Sequence, residues 1–444
     1  FTLEARLAGK RIGPFDWLIG GFYFDEHVNG SQNFSQYTVN SFQKFNGANE
    51  SAAVFGRLTF NATNKLRLVG GLRYTSDKKS FVGDGQNVIE ICTNPAGCIG
   101  GPSVPAVLTF QDLGAQVTLP TLPGPANSVA FGTAGNRLFY TPLSLNQSLD
   151  RSRTTWRAAV EYDVAPDSLL YASYETGFRS GGFNFSLGHE SYDPEYIRAW
   201  TIGMKNRFFH NRLQLNLELF QWNYTNQQVA HFGLDSTGGS SFFTENIGRS
   251  RIRGLDIDAQ FKVTPTTLLR GSVQLLDNVL TSFVYNTQRN TTNNALPPAV
   301  GCAVSPGTAP IPGSTTGATG TTWRVDCSGK QGYNSPKLAF NAGIEKTLPL
   351  GLYQLVATLD GRYRSNRVVS FEYLSVQNSG ADVTADASLR FGPRGGQWSL
   401  TGYVQNIGNN LIPTYVNVAG TTGNVIVTNY APPRTFGIRG TVAF

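Results

Sequence analysis

No run of about 18–20 apolar residues occurs anywhere in the chain, so no segment of it can cross hydrocarbon as a helix. Charge is scarce: 15% of residues are charged, against roughly 25% in a typical soluble domain. Lys and Arg exceed Asp and Glu by 36 to 29, but they stand singly and never form the basic run that nucleic-acid binding would call for. Gly and β-branched residues interrupt every long stretch, which excludes a helical bundle. Apolar residues at 40% and aromatics at 12% exclude a disordered chain. Also missing are a G-x-S-x-G elbow, an H-E-x-x-H pair and a glycine-rich phosphate loop, so no enzyme class is indicated. His27, His189, His210 and His231 are scattered and read as surface residues. The first residues, Phe1 to Leu7, carry no initiator Met, basic segment or apolar segment of a leader. They already alternate like a strand, and the expectation is a sequence that starts inside a longer protein.

What is present is alternation with a period of two, the mark of strands whose faces differ. Leu213, Leu215, Leu217 and Leu219 alternate with Gln214, Asn216 and Glu218. The same pattern runs from Tyr353 to Arg364, from Asp382 to Phe391 and from Thr435 to Phe444. Further strands are expected to begin near Thr2, Phe15, Ala53, Lys65, Thr154, Leu169, Ala199, Ile252, Thr267, Lys337 and Trp398. About fifteen strands of roughly 10 residues follow.

The connections alternate in length. Short turns such as 61–64, 165–167 and 349–351 separate long polar segments near 27–50, 80–150, 180–195, 225–248, 284–333, 366–380 and 408–430. In a series of antiparallel hairpins, long loops then fall on one rim and short turns on the other. Outer-membrane barrels sort their loops this way, and soluble sandwiches do not.

Alternation alone does not say which face is outside. Aromatics at strand ends, such as Trp156 and Tyr162 or Tyr353 and Tyr363, match girdles at two membrane interfaces. The polar face carries Arg67, Arg73, Arg157, Glu161, Glu218, Asp256, Asp258, Arg270, Asp386 and others, too many charges for a dry core. Leu215 and Leu217 are therefore expected to face lipid, and Asn216 and Glu218 a wet lumen. A strand of about 10 residues tilted near 40° spans about 25 Å, the height of the apolar band.

The four cysteines form two near pairs, Cys92 with Cys98 and Cys302 with Cys327, both in Gly/Pro/Ser/Thr-rich segments. Local disulfides in an oxidising compartment fit this placement. A zinc site has the wrong spacing and no nearby His.

Several stretches are specific enough to resemble a family. The segment Leu170–Asn184, with Gly177-Phe178-Arg179-Ser180-Gly181-Gly182, resembles a barrel strand and loop start of TonB-dependent outer-membrane receptors. The resemblance continues through Asp193-Pro194-Glu195, Gly203-Met204-Lys205 and Arg212-Leu213-Gln214-Leu215-Asn216. It extends through Asn246-Ile247-Gly248 to Gly254-Leu255-Asp256, then Asn406-Ile407-Gly408, then the closing strand to Phe444. The resemblance implies an all-β, antiparallel transmembrane barrel. Such barrels have 22 strands around a plug, so residues 1–444 are expected to be one unit, the C-terminal part, with about 15 strands and no plug.

The resemblance also implies a function: active import of a scarce, bulky solute, most often a ferric siderophore, with TonB acting on the plug. The candidate substrate path consists of Glu175, Arg179, Trp222, Tyr224, Asp360, Arg362 and Arg364. Arginines there would hold an anionic chelate by charge-assisted hydrogen bonds, and aromatic rings would stack on it. No metal site, covalent cofactor or nucleic-acid partner is expected. Phe444 resembles the terminal aromatic read by the barrel-assembly machinery. The location implied is the bacterial outer membrane, in contact with its lipid, with the long loops extracellular. Two alternatives stand beside this reading: a passive porin-like channel, and a receptor of the same family for cobalamin, a glycan or an aromatic compound.

Overall fold

The computed structural model describes residues 1–36, 39–91, 128–130, 137–234, 240–287, 298–310, 319–418 and 426–443. Among these, fifteen strands pair in chain order into one antiparallel sheet. They are β1 (Thr2–Ala8), β2 (Phe15–Gln36), β3 (Val39–Asn61), β4 (Leu66–Ile91), β5 (Arg137–Ala165), β6 (Ser168–Arg179), β7 (Glu195–Phe208) and β8 (Leu213–Leu234). Then come β9 (Ser240–Thr264), β10 (Thr267–Thr287), β11 (Leu338–Leu350), β12 (Tyr353–Arg364), β13 (Asp382–Pro393), β14 (Trp398–Gln405) and β15 (Thr435–Val442). Among the described residues, β1 and β15 do not pair with each other.

The register separates two kinds of surface. Across β7 to β13, one row reads Met204, Leu217, Ile257, Val273, Phe340, Tyr363, Val383. The adjacent row, pointing the other way, reads Lys205, Asn216, Asp258, Ser272, Asn341, Arg362, Thr384. The apolar side lies open, with Trp200 at 57%, Leu219 at 56% and Leu389 at 55% exposure. Aromatics edge it at two levels. Trp156, Tyr174 and Trp200 touch in series at 5.0 and 4.4 Å between ring centroids. At the short-turn rim, Tyr353, Phe391 and Trp398 cluster.

The polar side is the concave one, because side chains there reach across an intervening strand. The Tyr171 hydroxyl on β6 donates to Glu218 on β8 at 2.7 Å, passing over Gly203 of β7. A Cβ at Gly203 would fall 2.4 Å from the Tyr171 ring, so only glycine admits this contact. Arg270 of β10 likewise reaches Asp360 of β12 at 3.1 Å across Gly343.

Short turns join β1–β2, β3–β4, β5–β6, β7–β8, β9–β10, β11–β12 and β13–β14; connections of 15 residues or more lie between β4–β5, β6–β7, β10–β11, β12–β13 and β14–β15, whereas β2 runs to within two residues of β3 and β8 to within five of β9. The strands themselves overrun the expected length. β2 to β5 have 22, 23, 26 and 29 residues. Much of 27–50, 80–91, 137–150 and 225–248 is therefore strand rather than loop. Beyond the membrane the outward face turns polar, as at Lys78, Ser80, Ser144 and Asp150, while Phe81, Leu143 and Leu145 stand on the inward face, so the backbone ladder continues while the lipid-facing apolar row ends. The expected pattern sees only the part in oil.

Leu217→Arg on the apolar row is expected to cost about 2–4 kcal/mol in the folding of the intact protein into vesicles, followed by urea titration. Asn216→Arg, one residue away on the lumen side, should cost little.

Candidate functional site

Polar-face residues of β4 to β8 build one group above the aromatic girdle. Glu175 accepts from the Ser173 hydroxyl at 3.1 Å and lies 3.3 Å from Arg157 Nε across the β5–β6 ladder. Arg179 ends β6, is exposed, and faces Glu195 in register. Lys79 of β4 donates to the Gly181 carbonyl at 2.8 Å. Burial shifts its ammonium down from the usual lysine range, the nearby charge of Arg179 adds to that, and Asp77 opposes it. Trp222 and Tyr224 lie on the lumen side of β8, with the Trp222 ring 4.7 Å from that of Phe220. Burial, then the Glu195 carboxylate, push the Tyr224 phenol up.

The candidates on β12 form a second group. Asp360 accepts from Arg270 and stands opposite Asp386. Arg362 donates to Asn341 Oδ1 at 3.2 Å. Arg364 donates to Asp382 at 3.0 and 3.1 Å, and Asp382 also accepts from the buried Arg367. Asp258, Arg270, Asp360, Arg362 and Asp386 line a hollow of about 420 Å³. Four strand steps of about 4.8 Å separate β8 from β12, roughly 19 Å, so the seven candidates form two patches rather than one. Arg364 is held by Asp382, whereas Arg179 keeps an exposed guanidinium.

Residue types alone did not point to several members of the upper group. Phe45, Phe81, Phe183 and Phe185 pack with centroids 5.1–6.3 Å apart. The Arg73 guanidinium sits 5.3 Å from the Phe22 ring and 5.5 Å from that of Phe55. A signal existed: Phe22, Phe45, Phe55, Phe81, Phe220 and Trp222 occupy positions whose alternation assigns them to the polar face. A large aromatic out of step with its strand is a better pointer to a lumen site than any single arginine.

The family-like motifs do a different job. Asn246 accepts from the Asp193 amide at 2.7 Å and donates to the Asp193 and Asn226 carbonyls. Glu195 accepts from the Gln228 amide at 2.8 Å. Asn184 pairs with both the amide and the carbonyl of Thr244, at 2.9 and 2.8 Å. These bonds fasten segment 180–194 to the β8–β9 hairpin. Asn406, in the left-handed region at φ 49°, likewise ties its loop to Asn410 and Pro432.

Above the girdle the loops carry their own core. Val229, Leu280, Phe283, Tyr285, Val325 and Cys327 are buried together, with Phe371 and Tyr373 packed against them. Cys302 and Cys327 are joined by a disulfide, Cα atoms 4.9 Å apart, while Cys92, Cys98 and Phe444 lie outside the described residues. The expectation that all four histidines are surface residues needs correction. His231 is buried, its Nε2 3.0 Å from Glu245 and its ring 4.6 Å from Tyr285, because β8 continues into this packed cap. Among the described residues, no group of three His, Cys, Asp or Glu side chains is placed to hold a metal.

Residues 1–407 match the family model described as TonB dependent receptor-like, beta-barrel. The fold is similar to that of the ferric yersiniabactin uptake receptor of Yersinia pestis, with a TM-score of 0.67 and 13% identity over 100% of this chain and 54% of that one. It is also similar to the ferripyoverdine receptor of Pseudomonas aeruginosa, with a TM-score of 0.52 and 11% identity over 99% of this chain and 55% of that one. A stretch of 117 residues, 26% of this chain, is 23% identical to the ferric-pyoverdine 358 receptor of Pseudomonas putida and covers 14% of it. The chain thus spans about half the length of the receptors whose fold it matches.

Asn184→Ala strands both backbone groups of Thr244. It is expected to weaken the fastening of 180–194 by about 1–3 kcal/mol, read as faster amide exchange there with the membrane strands unchanged. The Cys302–Cys327 bridge closes a separation of 25 residues, worth roughly 3–4 kcal/mol to the cap. The Cys302→Ser, Cys327→Ser protein should be cut by protease within 319–330 while its barrel stays intact.

Proposed function

The chain belongs to the TonB-dependent receptor-like β-barrel family of the bacterial outer membrane, and from that premise we propose that it supplies barrel wall and extracellular loops to an importer of ferric siderophores. The observation that carries the substrate class is the upper lumen group. There an exposed Arg179 and a half-buried Lys79 stand with the Phe45, Phe81, Phe183 and Phe185 cluster. A ferric chelate that is anionic and ringed with aromatic or other flat groups suits such a surface, by charge-assisted hydrogen bonding and by ring contact. Three similar proteins are receptors for ferric yersiniabactin or ferric pyoverdine, which supports the same class.

In this reading the substrate first meets the cap and the long hairpins, then descends to the β4–β8 patch. The β10–β13 patch, with its arginines engaged by Asp360, Asn341 and Asp382, lines the wall below and faces the plug. Energy comes from TonB acting on the plug, and the chain performs no catalysis. The Asp193, Glu195 and Asn246 motifs position the binding loop and do not touch substrate.

The test is uptake of radiolabelled ferric siderophores by cells expressing the intact receptor in a receptor-deleted strain. Lys79→Ala with Arg179→Ala should raise the Kd for an anionic chelate about tenfold or more, the size of one or two hydrogen bonds to a charged group. Uptake that survives collapse of the proton-motive force would instead indicate passive diffusion. Binding of cobalamin or a glycan, with no ferric siderophore bound, would move the protein to another substrate of the same family.

A further inference from the structure

The outward face is apolar through the membrane band, but above the Trp156–Tyr174–Trp200 girdle one sector is cationic. Trp200 is in register with Gln221, Arg253 and Asp277. The next outward row carries Arg198, Asn223 and Arg251. Lys337 sits alongside, its carbonyl accepting from the Leu276 amide. Arg198, Arg253 and Lys337 are exposed, and Arg251 Nε is buried without a hydrogen-bond partner among the described residues. Four cations thus face one carboxylate, Asp277, which pairs with Arg253 at 2.9 Å and leaves the other three without an ion pair among the described residues.

Further out along the strands, β2 to β5 have the opposite balance. Asp25, Glu50, Lys78 and Asp150 stand in register there, three carboxylates to one ammonium. The positive sector is therefore a local feature and not a reflection of the chain's overall +7. Directly below it the sheet surface is hollowed by about 600 Å³, floored by Ile202, Leu219, Leu255 and Leu275 and edged by Arg253 and Lys337. Apolar floor and cationic rim are what an amphiphile with long chains and an anionic head requires.

We propose that the outward face of β7 to β11 binds the phosphorylated, multi-acyl glycolipid of the leaflet on the long-loop side. Acyl chains fill the hollow, and Arg198, Arg253 and Lys337 hold the phosphate. This site rests on the outer-membrane reading but is independent of what the lumen carries. Phosphate is favoured over a zwitterionic head because the rim has surplus positive charge, and charged donors make their strongest hydrogen bonds to such an acceptor.

The experiment uses the intact receptor, inserted in vesicles and then extracted in mild detergent. Native mass spectrometry counts retained lipid A, dephosphorylated lipid A and phosphatidylethanolamine offered at equal concentration. The expected result is selective retention of lipid A, lost about tenfold or more in R198A/R253A/K337A and unchanged in K78A on the opposite sector. Equal retention by wild type and triple variant, or equal retention of the dephosphorylated lipid, would overturn the site while leaving the membrane reading intact. A wild-type protein that did not insert into vesicles would overturn both.

Discussion

In a layer without water, a peptide N–H or C=O left without a partner costs several kcal/mol, and the rest of this molecule is arranged around that constraint. The ladder from β1 to β15 satisfies the backbone of each interior strand from its two neighbours, which frees the side chains to divide by face. Apolar residues go to the oil, and the charged row from Lys205 to Thr384 goes to the wet side. The usual relation between core and surface is thereby inverted. The fully buried apolar side chains Phe283 and Val325 lie not in the membrane band but in the cap above it.

Much of this is legible in the amino-acid sequence alone. Alternation in residues such as Leu213 to Leu219 marks the strands, and the sorting of turns marks the rims. Strand length is not legible in the same way. A hairpin such as β4–β5 leaves the membrane and goes on for many residues with polar side chains outward and with Phe81, Leu143 and Leu145 turned inward. Hydrogen bonding continues there without an apolar row toward lipid, and the sequence then looks like loop. The buried His231 is hidden for a related reason: its burial comes from packing between loops distant in the chain.

The candidate site is legible in kind and not in grouping. Arg179 and Arg364 look alike as lumen arginines, yet Arg364 is clamped by Asp382 and Arg179 is not. Only register and cross-strand neighbours separate a structural ion pair from an available cation, and neither can be read from a single strand. The aromatic cluster of Phe45, Phe81, Phe183 and Phe185 is accessible in principle, through side chains that break the parity of their strands. The most specific motifs prove to be fasteners. Asn246, Glu195 and Asn406 spend their hydrogen bonds on loop backbone, which makes them dependable guides to the fold and poor guides to the ligand.

The 29 residues of β5, at about 3.3 Å each and a tilt near 40°, rise roughly 70 Å along the barrel axis, against an apolar band of about 25 Å. Even with the short-turn rim placed at one interface, about 45 Å of this stave stands clear of the bilayer. The mouth of the vessel is then a tower, not a hole flush with the cell surface. Anything that approaches from the long-loop side therefore reaches protein well before it reaches lipid.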